Sequence, residues 1–122
     1  IESRGFVFGA PIARDMEVPF VMARKPGKLP NDTYSKSFDL EYGSTSLEIQ
    51  KNTDFDGNDN VVIIDDLIAT GGTAEAAAKL IEKSGGEVLG FIFVINLFDL
   101  GGKKKLENKN YRTFSLIDFP GH

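Results

Sequence analysis

The chain has 122 residues, 41% of them apolar and 26% charged, with a formal net charge of -4. This is ordinary globular material, enough for one domain over residues 1–122 with a modest core. The lack of cysteine excludes disulfide and thiol chemistry and suits a cytoplasmic setting, the acidic balance argues against nonspecific nucleic-acid binding, and no apolar run reaches the length of a helical membrane span.

In chain order, the polar turn Glu2-Ser3-Arg4-Gly5 leads into Phe6-Val7-Phe8, which reads as a short apolar strand. Gly9-Ala10-Pro11 then opens a brief helix, with Pro11 in its first turn and an end near Glu17. Residues 19–23 read as a second apolar strand around Phe20, Val21 and Met22. Behind it stand Arg24, Lys25 and Lys28, kept in an open loop by Pro26 and Gly27. Alone, such a loop is more often a solvated basic turn; beside a phosphate site further along the chain, it suits a polyanion.

From residue 31 to 50 the pattern alternates, with Phe38, Leu40 and Tyr42 followed by Leu47 and Ile49 across Gly43-Ser44-Thr45-Ser46. This predicts a hairpin, approached through a polar arm over residues 31–37 and able to serve as a flexible lid. Residues 51–60 form a polar surface connection. Residues 61–64 are a β-branched run, as in a strand buried on both faces, and residues 74–83 have helical spacing through Ala74, Ala77, Ala78 and Ile81, with Glu75 and Lys79 as an i,i+4 pair. Ser84-Gly85-Gly86 stops that helix, and residues 88–95 form another central strand. Residues 98–110 are a loop or short helix carrying a solvated run at Lys103, Lys104 and Lys105; residues 113–117 close the chain as a strand. His122, the single histidine, is terminal and receives no catalytic role.

Most of the chemistry lies between residues 61 and 73. The strand ends on Asp65 and Asp66, and Ala69-Thr70-Gly71-Gly72-Thr73 enters the helix. Such a small-residue loop turns backbone N–H groups inward and adds the helix dipole, an arrangement that favours a phosphate monoester. Adjacent carboxylates would repel a bare phosphate, but they suit a ribose 5-phosphate whose 2′ and 3′ hydroxyls donate to them. The chain has neither a P-loop nor a dinucleotide-binding Gly-x-Gly-x-x-Gly after a strand. An isolated Asp-Asp or Gly-Gly would more often be only a helix cap and turn; the whole thirteen-residue order favours the phosphate site.

The run from Val61 to Thr73 resembles the phosphoribosyl pyrophosphate (PRPP) signature of type I phosphoribosyltransferases. Glu2-Ser3-Arg4-Gly5-Phe6, residues 24–30 (Arg-Lys-Pro-Gly-Lys-Leu-Pro) and Leu40-Glu41-Tyr42-Gly43 narrow the resemblance to the adenine phosphoribosyltransferases, over residues 1 to about 117. It implies a central, mostly parallel sheet flanked by helices with a flexible hairpin lid, and a cis peptide in the loop before Phe6. It also implies the reaction of adenine with PRPP to give AMP and pyrophosphate, with Mg2+, in a cytoplasmic homodimer. On that resemblance Ala69, Thr70, Gly71, Gly72 and Thr73 hold the 5-phosphate, and Asp65 and Asp66 hold the ribose and meet the metal mostly through its hydroxyls or water. Arg4, Arg24, Lys25 and Lys28 receive pyrophosphate, Glu41 is the proton-transfer residue and Tyr42 shields the site.

For Glu41, an outward-facing residue of an edge hairpin is an equally good account. Leu67 and Ile68 adjoin the base, although core packing suits both as well. Family members carry roughly sixty further residues before this point, including a hood over the purine, so the chain, which begins with Ile, is expected to lack an N-terminal portion. The alternatives are a PRPP-sensing purine regulator without catalysis and a transferase acting on another base.

Overall fold

The computed structural model describes residues 1–40, 43–51, 55 and 59–121. Its centre is a parallel three-stranded sheet in the order β3 (Asn60–Ile68), β4 (Glu87–Leu97), β5 (Arg112–Phe119), preceded by the antiparallel hairpin β1 (Thr33–Leu40) and β2 (Gly43–Gln50). Helix α2 (Gly72–Lys83) connects β3 to β4, while a 3-10 turn at Phe98–Leu100 and α3 (Gly102–Asn108) connect β4 to β5. Two crossovers in succession bring the loops that follow β3 and β4 to one sheet edge, the carboxyl edge, where ligands of open α/β sheets bind.

One face of the sheet is covered by α2, and the hairpin packs on α2 in turn. Ile63, Phe91 and Phe93 meet the small side chains of Ala74, Ala77 and Ala78, with Leu80 and Ile81 deeper in the helix and Leu47 and Ile49 arriving from β2. Phe91 and Phe93 have nearly parallel rings with centroids 5.9 Å apart, and Tyr111 meets Phe91 edge-on at 5.4 Å. The alanines of α2 matter because they bring its backbone, and so its N-terminus, close to the sheet. The expected helix stop is present: α2 ends at Lys83, and Gly85 takes a φ of +97°.

Several expectations are corrected. Residues 6–8 are not a strand but the second to fourth residues of α1 (Gly5–Met16). The helical spacing is carried by Gly5, Gly9 and Ala13, which are the buried positions, while Val7 is 67% exposed. A short apolar run fits a strand or a helix equally, and here a small-residue face lying on β3 decides. Pro11 is therefore well inside the helix rather than in its first turn, and Glu17 ends it in the left-handed conformation, its N–H donating to the Ala13 and Arg14 carbonyls. Residues 19–23 form no strand; the segment is tied down at Ala23, whose carbonyl accepts the Glu2 N–H at 2.9 Å, and by the adjoining bridge in which Arg24 and Glu48 exchange N–H···O=C bonds of 2.9 and 2.7 Å.

The polar approach to the hairpin is shorter than expected, because Thr33 to Ser37 are already paired with β2. Glu75 does not pair with Lys79. Its carboxylate receives Lys105 at 3.2 Å and Lys109 from the other side, while Lys79 faces Glu82 at 3.9 Å. Lys105 is thus a tie between α3 and α2 and not part of a solvated run.

Candidate active site

The loop after β3 and the first turn of α2 form one wall of a cavity of about 510 Å³. Gly71 precedes the helix with φ +89°, a conformation that side-chain-bearing residues rarely adopt, and no side chain caps the helix N-terminus. Ala69, Thr70, Gly71, Gly72 and Thr73 all line the cavity, so all five residues assigned to the 5-phosphate are brought together. The uncapped N–H groups of this turn make a positive end for an anion.

Strand β3 does not end on Asp65 and Asp66 as expected but runs on to Ile68, so the two carboxylates lie among its last four residues, in unlike environments. Asp65 accepts the Asp66 N–H at 2.9 Å. Burial pushes its carboxyl up to about 7, against that hydrogen bond, which holds it down. Asp66 accepts Arg4 Nε at 2.5 Å, with the Arg4 side chain 78% exposed. The residue assigned to pyrophosphate and one assigned to ribose therefore meet as an ion pair. Arg4 reaches this position because the chain passes against β3 at Gly5, where a Cβ would lie 3.0 Å from both Asp65 Oδ1 and the Ile64 carbonyl oxygen.

Glu2 organises a second part of the cavity lining, and sequence reasoning gave it no role. Its side chain, only 6% exposed, accepts Arg24 Nε at 3.2 Å and the Lys25 N–H at 2.8 Å on one oxygen, and Lys28 Nζ at 2.8 Å on the other. These bonds hold its carboxyl below the ordinary range even though burial acts the other way. The peptide joining Glu2 to Ser3 is cis, in the loop where the resemblance implied one. Arg24 also lies over the Phe6 ring at 5.8 Å, and Glu48 accepts the Gly27 N–H at 3.1 Å. Glu2 thus fixes the Arg24 and Lys28 side chains and the Lys25 backbone; Lys25 lines the cavity together with Glu2, Ser3 and Arg4, whereas Arg24 and Lys28 are not part of its lining. Nothing local in the sequence announces that residue 2 will pair with residues 24 and 28, because the contact exists only once the chain has folded.

Leu67 and Phe38 line the same cavity, Phe38 from the hairpin, while Ile68, at its edge, belongs to the core at 2% exposure. Glu41 and Tyr42 lie outside the described residues, as does His122. Gly101 and Gly102 were also missed: the Gly102 N–H donates 3.0 Å to the Ala69 carbonyl behind the phosphate loop. A Gly-Gly pair after a central strand was the available signal, since that position falls on the carboxyl edge. Among the described residues no three His, Cys, Asp or Glu side chains gather to hold a metal ion. Asp65 and Asp66 still fit magnesium in the way that ion usually binds, with one or two carboxylates, retained waters and substrate phosphates in place of a protein cage. No described helix is long and apolar enough to cross a membrane.

A family model for the phosphoribosyl transferase domain matches residues 1–122. The adenine phosphoribosyltransferase of Pelagibacter ubique is 55% identical over 122 residues, which are all of this chain and 69% of that protein. Among solved structures, adenine phosphoribosyltransferase from Thermoanaerobacter pseudethanolicus superposes with a TM-score of 0.91 at 52% identity, covering 97% of this chain and 67% of that one. The Saccharomyces cerevisiae enzyme, complexed with an imino-altritol bisphosphate and adenine, gives 0.87 at 46% identity, covering 94% and 63%. The chain spans about two thirds of the length of these relatives.

Proposed function

The chain belongs to the phosphoribosyl transferase family, and within it to the adenine phosphoribosyltransferases, and on that premise we propose how its residues divide the work. The reaction is pentosyl transfer in purine salvage: a ring nitrogen of adenine bonds to C1′ of PRPP, the bond from C1′ to the pyrophosphate oxygen breaks, adenine gives up a proton, and AMP and pyrophosphate leave. The observation that carries the assignment of roles is the common cavity, lined by the phosphate loop, Asp65 and Asp66 together with Glu2, Arg4 and Lys25.

The N–H groups of Ala69 to Thr73 hold the 5-phosphate, and the carboxylates of Asp65 and Asp66 accept the ribose hydroxyls. Ribose binding draws Asp66 away from Arg4, which turns to the pyrophosphate. As C1′ and the leaving oxygen separate, positive charge grows on the ribose and negative charge on pyrophosphate. Arg4, Arg24, Lys25 and Lys28 stabilise the latter, Arg4 and Lys25 from the cavity lining, and a prearranged group costs little reorganisation. Asp65 and Asp66 would reach magnesium mostly through ribose hydroxyls or water, and the ion would supply charge neutralisation for the leaving group.

Glu41 exchanges the purine proton, a contribution of about 10²-fold. Tyr42 and the hairpin close over the ribose and exclude water. Leu67 packs beside the base. The protein is a homodimer, to which α1 contributes exposed Val7 and Met16.

Conversion of labelled adenine to AMP, dependent on PRPP and Mg2+, tests the reading. AMP and pyrophosphate formed in equal amounts support it; PRPP binding with no turnover in the chain extended to its relatives' length overturns catalysis.

A further inference from the structure

From the contact between the loop after β4 and the loop after β3, we infer that Gly102 is a positioning residue for the phosphate site, fixing the Ala69–Gly71 backbone from behind. The inference rests on the assignment of that loop to the 5-phosphate. Gly71 and Gly102 face each other: a Cβ on Gly71 would lie 3.2 Å from both Cα and O of Gly102, and one on Gly102 would lie 2.4 Å from the Ala69 carbonyl oxygen and 2.9 Å from Gly71 N. The two glycines are required for different reasons. Gly71 has φ +89° and so favours glycine by conformation; Gly102 has no such positive φ and opens a helix, where alanine is a better residue than glycine. What excludes a side chain at 102 is therefore closeness to the phosphate loop.

The contact is also bonded and braced. The Gly102 N–H donates to the Ala69 carbonyl at 3.0 Å, which turns that carbonyl toward α3. Helix α3 is itself fixed: Leu106 is fully buried, and Lys105 and Lys109 grip Glu75 in the first turn of α2. The loop is thus held at both ends of a short circuit running from α2 through the Lys–Glu pairs to α3 and back through Gly102.

The test compares two glycines of similar steric severity. Gly90, in the first half of β4, would place a Cβ 2.7 Å from the Arg112 carbonyl oxygen and has no part in the cavity. Ribose 5-phosphate binding is measured by titration calorimetry for the unsubstituted chain, Gly102→Ala, Gly90→Ala and, as a direct test of the loop, Gly71→Ala. Bringing the new methyl of Gly102→Ala to ordinary contact requires a shift of roughly 1 Å, so Kd rises by about tenfold or more, while Gly90→Ala loses thermal stability and keeps its Kd.

Unchanged affinity in Gly102→Ala, or an equal loss in Gly90→Ala, overturns the inference. If Gly71→Ala, which strains the loop backbone at φ +89°, binds as the unsubstituted chain does, the phosphate assignment itself fails and takes the inference with it. Should Gly102→Ala not fold, Lys105→Met/Lys109→Met decides: loosening α3 raises Kd about threefold if the bracing holds, and no change overturns it.

Discussion

The two walls of the cavity are built by different means. On the β3–α2 side, a strand end, a turn and a helix start are contiguous in the chain, and the backbone itself forms the site. In the second wall, contacts between residues distant in the chain do the work: Glu2 pairs with Arg24 and Lys28 and accepts the Lys25 N–H, while Arg4 pairs with Asp66. The first wall binds phosphate by orienting N–H groups that cannot titrate and sugar through the Asp65 and Asp66 carboxylates; the second binds by holding cations in place. The difference teaches that substitutions of the phosphate loop act on geometry, and those of the charged residues on charge and order.

The largest effect expected from breaking this contrast is on the ribose holders. Asp65→Asn/Asp66→Asn removes two charge-assisted hydrogen bonds, each worth about 1.5–3 kcal/mol, and weakens PRPP binding at least ~100-fold by calorimetry. Unchanged affinity would show that the carboxylates do not hold the sugar. Next is Glu2. Glu2→Ala lowers the free energy of unfolding by about 2 kcal/mol in urea titration, between the values for a buried and an exposed pair, because Arg24 and Lys28 keep 29% and 47% exposure. The KM for PRPP rises by about tenfold as the cations lose their order; a lower KM would mean that Glu2 only competes with pyrophosphate.

A pH series sharpens the contrast, since only the first wall carries a carboxyl displaced upward. The native Asp65 holds its proton to about 7, against an ordinary 3.8. Between those values the native state binds more protons than the unfolded one, so this stabilising contribution is greatest below about 4 and is lost as pH rises through 7. Ribose hydroxyls favour the ionised carboxylate, so affinity for ribose 5-phosphate climbs as pH rises toward 7 and levels off above it. Asp65→Asn removes that limb and leaves the one from the phosphate's own ionisation near ~6. Identical profiles in the two proteins would refute the assignment. The smallest effect is at Glu75→Gln, which loosens α3 at a cost under about 1 kcal/mol of stability, measured by urea titration.

The legibility of the molecule follows the same division. Strands β3, β4 and β5, helix α2 and the phosphate loop were readable because β-branched runs, helical spacing and Gly-Gly each signal locally. Helix α1 was misread because Phe6-Val7-Phe8 suggested a strand while the packing face was Gly5, Gly9 and Ala13, residues whose contribution is their small size against β3. The Arg24–Lys28 group was visible as charge, but its partner Glu2 was not, since pairing across more than twenty residues leaves no periodic trace. Gly102 was hidden in the same way: its neighbour in space is more than thirty residues away in sequence.

The most direct test of the site is the amide NMR response of the chain to AMP. Titration is expected to shift the Asp65 to Thr73 amides most, Gly102 next, and those in the first half of β4 least. Shifts that leave residues 65–73 unmoved while another surface responds would contradict the account.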